Sequence, residues 1–151
     1  RFEWQFSVAA IAAIIHDVII TVGIFSFLSY EVNLSIVAAV LTIVGYSMND
    51  TVVIFDRIRE NLKKYSQLKI AEISNLSTNE TLSRTLITSI TTLLALFSIF
   101  IFGGAILKGF SFAMIVGVIV GTYSSIFVAA PILNYTKVSQ KSVVKEDKEI
   151  N

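Results

Sequence analysis

The chain has no cysteine, one proline, one histidine and few charges for its length of 151 residues. Without cysteine there are no disulfides and no thiolate metal sites. The single histidine, His16, has no cluster of acidic or imidazole partners, so a metal centre is not expected. Charged residues make up only 15% of the chain while 54% is hydrophobic, against about 25% and roughly 45–50% in soluble globular domains. The mean hydropathy of +0.75 agrees with that deficit. Net charge is +1, which offers no electrostatic footprint for nucleic acid. No P-loop, HExxH or GxSxG pattern is present, so no catalytic set and no cofactor are expected. The chain begins at Arg1 and has no signal-peptide pattern; it reads as a fragment or processed piece of something longer.

What is present is apolar sequence in four blocks. They run from about residues 5 to 28, 34 to 55, 82 to 102 and 110 to 133. Each approaches the roughly 20 residues that cross a hydrocarbon core as a helix. Backbone groups in lipid must be satisfied within the segment, and no strand-like alternation suggests a barrel. The expected class is an all-α integral membrane protein with four transmembrane helices. Residues 57–81 read as a polar helix and loop. Arg57 to Gln67 continues the second block with Ile58, Leu62 and Tyr65 at helical spacing, and Ser74 to Asn79 reads as a turn. Residues 137–151 are polar and mixed in charge and read as a disordered tail. Lys and Arg gather in the central loop, at the N-terminus and in the tail, whereas Ser29–Asn33 has none. The positive-inside rule then puts both termini and the central loop in the cytoplasm. Trp4, Tyr30 and Tyr135 fall where interfacial aromatics are expected.

Polar residues inside the apolar blocks are the candidates for function. Asp50 lies about 24 Å along the second helix from its outer end. A carboxylate at that depth is costly and marks a functional-site hypothesis by default. Asn49 is beside it, and Tyr46 and Ser47 share its helical face. The alternative is a static polar anchor bonded to a neighbouring helix. His16 and Asp17 occupy the middle of the first block, with Thr21 one turn on. Such a pair either relays protons or makes an ordinary interhelical hydrogen bond. Arg84 enters the third block from the basic side at a depth similar to Asp50, so an ion pair between them is geometrically possible. A snorkelling arginine is the plainer reading. Gly117, Gly121, Ser124 and Ser125 form a small-residue stripe suited to close helix packing. Pro131 should kink or interrupt the fourth helix.

The stretch Gly45-Tyr-Ser-Met-Asn-Asp-Thr-Val-Val-Ile-Phe-Asp-Arg-Ile-Arg-Glu-Asn61 resembles the signature of the SecF family, part of the bacterial SecDF protein-export machinery. Four further stretches resemble the same family in the expected order: Arg1-Phe-Glu-Trp4, His16-Asp-Val-Ile-Ile-Thr-Val-Gly23, Leu82-Ser-Arg-Thr-Leu-Ile-Thr-Ser89 and Gly117-Val-Ile-Val-Gly-Thr-Tyr-Ser-Ser125. The resemblance implies an RND-type membrane domain of six helices with a large periplasmic domain after the first. This chain would then be a fragment carrying the last four helices. It implies residence in the bacterial cytoplasmic membrane, pairing with SecD, association with the SecYEG channel, and use of the proton-motive force to help move an exported polypeptide. The exported chain would be met by the periplasmic domain, which this sequence does not contain. The resemblance maps the proton pathway onto Asp50 and Arg84, with His16 and Asp17 beside it. Two other readings stay open: a structural partner of SecD and the translocon that moves no proton, and part of an RND-type small-molecule exporter.

Overall fold

A computed structural model describes residues 4–136 and 138. Among them the architecture is all helical: α1 (Trp4–Phe27), α2 (Leu34–Lys64), α3 (Ile70–Phe102), α4 (Gly104–Ser124), a π-helical turn (Ser125–Ala129) and α5 (Ala130–Tyr135). Four rods result, since α4, the π turn and α5 run as one span from Gly104 to Tyr135. All four are long and apolar enough to cross a membrane. The rod that begins with α4 packs against each of the other three, and α2 also packs against α1 and α3.

Two helices are longer than their apolar blocks. α3 begins at Ile70, so Ser74–Asn79 is helical and not a turn. Those residues are weak helix formers, but tertiary contacts override the preference. Ser74 and Ser77 are buried, and Asn61 Nδ2 donates to Ser77 Oγ at 2.9 Å across the gap from α2. The helix starts instead at Lys69, whose backbone N–H donates to Glu72 Oε2 at 3.0 Å. Ile58 and Leu62 are fully buried against neighbouring helices, so this polar extension of α2 is part of the bundle. At the opposite end α4 begins at Gly104, not near Phe110, which puts Lys108 on the helix. Only Gly103 separates α3 from α4. A Cβ on Gly103 would stand 2.4 Å from the Ile99 carbonyl oxygen, and Gly104 takes φ +73°, so the turn needs both glycines. At the α1–α2 connection, Asn33 caps α2 by accepting the Ile36 N–H at 3.1 Å.

The core is layered along the helix axes. At the end carrying the polar extensions, Phe6, Ala13, Ile54, Phe55, Ile58 and Leu133 form one apolar cluster with their neighbours. At the other end Phe25, Ile36, Ile43, Leu96, Met114 and Val118 belong to a second. Between them every rod contributes buried polar residues: Asp17 and Thr21, Ser47, Asp50 and Thr51, Thr85 and Ser89, Ser124 and Ser125. This middle layer exists because α4 lies close against α2. A Cβ on Gly117 would meet Ile43 Cγ1 at 2.2 Å, and one on Gly121 would meet Ser47 Cβ at 3.2 Å. Small residues allow such an approach in lipid, where no hydrophobic drive exists between helices.

The rod carrying α4 loses regular α geometry at Ser125–Ala129. Pro131 follows in α5 and has no N–H to give to the preceding turn. The wider π turn is how the helix absorbs that missing bond, as π-bulges do elsewhere. Residues 137 and 139–151, read from sequence as a disordered tail, lie outside the described residues.

Candidate polar site inside the helix bundle

Two carboxylates occupy the middle layer, and their surroundings differ. Asp17 of α1 is 1% exposed. Its Oδ2 accepts from the Ser47 hydroxyl of α2 and, at 2.8 Å, from the Ser124 hydroxyl of α4. Its Oδ1 lies 3.0 Å from His16 Nδ1. The Thr21 hydroxyl donates to the Asp17 backbone carbonyl at 2.8 Å, so it serves the helix and not the carboxylate. His16 itself is about one-third exposed and sits at the rim of the bundle.

Asp50 of α2 is 5% exposed, and its buried Oδ2 has no hydrogen-bond partner among the described residues. Tyr46, one turn earlier, also has a buried hydroxyl without a partner. Ser47, on the same helical face as Asp50, donates to Asp17. Asn49 is exposed and points away from the bundle. Arg84 lies close enough to act on the Asp50 charge. Even so, no ion pair or hydrogen bond joins them, and Arg84 is exposed. The pairing that the sequence allowed is therefore not made in this arrangement. Arg84 is exposed on α3, whereas Asp50 is buried on α2.

Three hydroxyl residues belong to the same layer although sequence reading singled out none of them. Thr51 Oγ1 and Ser125 Oγ are 3.1 Å apart, linking α2 to the start of the π turn. Ser89 Oγ and Thr122 Oγ1 are 2.6 Å apart, linking α3 to α4. Hydroxyls are common in apolar helices, where they bond to the carbonyl one turn back. Only a helix-facing argument would have separated Thr51 and Ser89 from Thr42 and Thr91, which do just that, and Thr122 bonds back to the Val118 carbonyl as well.

A second polar group lies beyond the apolar layers, in the extensions of α2 and α3. Arg57 donates through Nε to Glu80 and through Nη1 to Glu60, each at 2.7 Å. Buried Asn61 donates to Glu80 at 2.8 Å and to Ser77. The Arg57 guanidinium, then Asn61, hold the Glu80 carboxyl below its ordinary range. These contacts staple the extensions together.

The family model for the C-terminal part of the protein export membrane proteins SecD/SecF covers residues 1–139. The chain belongs to the SecD/SecF family. Its relatives include the protein translocase subunit SecF of Cereibacter sphaeroides, 51% identical over 98% of this chain and 46% of that protein. Another is the protein translocase subunit SecF of Rhodothermus marinus, 58% identical over 88% of this chain and 45% of that protein. The chain thus spans a little under half the length of these SecF relatives. Among solved structures, the crystal structure of SecDF in its super-membrane-facing form superposes with a TM-score of 0.87 at 46% identity. That match covers 99% of this chain and 20% of the SecDF chain. Membership of the SecD/SecF family together with four membrane-competent helices makes this a multi-pass membrane protein.

Proposed function

We propose that this chain is the proton-coupling helix unit of a SecF subunit of the bacterial cytoplasmic membrane. In that reading it works with SecD and the SecYEG channel, and both of its ends face the cytoplasm. The observation that carries the reading is Asp50: a carboxylate 5% exposed inside a helix bundle, with an oxygen that no described residue satisfies. Stable proteins pair such groups, so an unpaired one fits a group whose partner changes during a working cycle. Arg84 supplies the cation. Asp50 stands about 24 Å along α2 from Leu34 and Arg84 about 27 Å along α3 from Phe102, at 1.5 Å per residue. The two therefore share a depth without touching. Asp50 takes up a proton from one side and releases it to the other. Arg84 swings toward the carboxylate when it is charged and away when it is neutral. His16 and Asp17 sit behind the exchange site on α1. Moving one charge through 100 mV supplies about 2.3 kcal/mol, and 1.4 kcal/mol already shifts a two-state equilibrium about tenfold. One proton is thus enough to bias the helix arrangement.

The test is Asp50→Asn in the full-length subunit assembled with its partners in membrane vesicles. The variant should assemble normally, and export should no longer respond to an imposed proton gradient. An unchanged response would remove Asp50 from the pathway. Normal gradient response with lost co-purification of SecD would favour the structural-partner reading.

A further inference from the structure

Asp17 and Asp50 are both buried, yet the bundle treats them oppositely. Three donors from three residues converge on Asp17: Ser47 of α2, Ser124 of α4 and, with its proton on Nδ1, His16 of α1. A carboxylate anion accepts at both oxygens, and this set supplies both. A neutral carboxyl would bring a fourth donor to a place that already holds three. Asp50, three residues beyond Ser47 on the same helix, has an Oδ2 with no donor among the described residues.

The backbone is arranged around Asp17 as well. Gly121 brings α4 so near that its missing Cβ would stand 3.2 Å from Ser47 Cβ. That approach places Ser47 and Ser124 together on one carboxylate oxygen. The next residue, Ser125, meets Thr51 at 3.1 Å, and Thr51 adjoins Asp50 in α2. The π turn starts at this serine. The contacts around Asp17 thus set how α2 and α4 stand relative to each other at the turn that carries Asp50.

We propose that Asp17 is a positioning residue: an anionic tie across α1, α2 and α4 that holds Asp50 in register and does not itself take up the transported proton. This rests on the proton-coupling reading above for its consequence, although the tie itself does not. It separates two acidic residues that the sequence placed in one pathway.

The experiment uses the full-length subunit in its assembled complex, with Asp17→Asn, the pair Ser47→Ala and Ser124→Ala, and all three changes combined. Thermal unfolding of the purified complexes is measured first. Asp17→Asn and the serine pair should each lower the midpoint, and the combination should lower it by clearly less than the sum, because all three remove one network. Gradient-driven export is then followed across pH. Each variant should fall about tenfold or more, the effect of losing a hydrogen bond to a charged group. The pH midpoint of the remaining export should match the parent's. The serine pair keeps the carboxylate, so it gives this reading even if Asp17→Asn fails to assemble. Additive unfolding shifts, or a pH midpoint displaced in the serine pair, would overturn the proposal. Asp50→Asn is run alongside. If it keeps a full gradient response, proton coupling at Asp50 fails, while the unfolding cycle still decides whether Asp17 is a tie.

Discussion

Gly117→Ala is the most exacting perturbation of the packing that creates the middle layer. The added Cβ would lie 2.2 Å from Ile43 Cγ1, 2.3 Å from Cδ1 and 2.8 Å from Cγ2. Carbon atoms pack at about 3.5–4.0 Å. Three carbons of one β-branched side chain are involved, and Ile43 is itself buried, so turning one torsion cannot clear them. The helices must separate or Ile43 must leave its rotamer. Overpacking of this kind costs about 1–3 kcal/mol, and the gain in helix propensity offsets up to about 1 kcal/mol. With every one of those Ile43 contacts at 2.8 Å or shorter, the upper part of that range applies, about 2–3 kcal/mol, and after the full propensity offset a net loss of about 1–2 kcal/mol remains. Ile43→Ala alone should cost about 2–5 kcal/mol through the cavity it leaves. Together the two changes are complementary, so the double variant should be more stable than the sum of the singles. Unfolding of the full-length subunit in mild detergent, titrated with denaturing detergent, measures all three. Gly23→Ala is the control, since nothing lies within 4 Å of its Cβ position. If Gly117→Ala matches the parent, or the double variant equals the sum, the close α2–α4 contact is not as described.

Other outcomes follow from the same geometry. Asn61→Ala should cost about 1–3 kcal/mol in the same unfolding assay, because it strips donors from Ser77 and Glu80 at a buried site. Arg57→Ala should leave the unfolding midpoint close to the parent's, since its ion pairs are solvent-screened. Thr51→Val keeps the shape and removes the bond to Ser125, so it should cost about 0.5–1.5 kcal/mol and raise hydrogen exchange in the π turn. Gly103→Ala should destabilise the α3–α4 turn through the 2.4 Å contact with the Ile99 carbonyl, seen as faster proteolysis there.

Much of this molecule was legible in its composition. Four apolar blocks with a charge deficit leave few alternatives to a helical membrane bundle, and Gly117 and Gly121 at a spacing of four announce a close helix contact. Boundaries were less legible where tertiary contacts outweigh local preference. Ser74–Asn79 has the composition of a turn but folds as helix because Asn61 of α2 donates to buried Ser77 and ties the segment to α2. Partner choice was legible least. Ser47 is three residues from Asp50 and thirty from Asp17, yet it serves Asp17, because the crossing of α1 and α2 decides which carboxylate it meets. Arg84 and Asp50 share a depth, which counting residues reveals. They make no ion pair, which only the packing of the helices determines.

The central claim is that Asp50 exchanges a proton. Infrared difference spectroscopy of the assembled complex across pH tests it most directly, with Asp50→Asn and Asp17→Asn as references. The account predicts a titrating carboxyl band that disappears in Asp50→Asn and persists in Asp17→Asn. A band that survives Asp50→Asn and is lost in Asp17→Asn would contradict it.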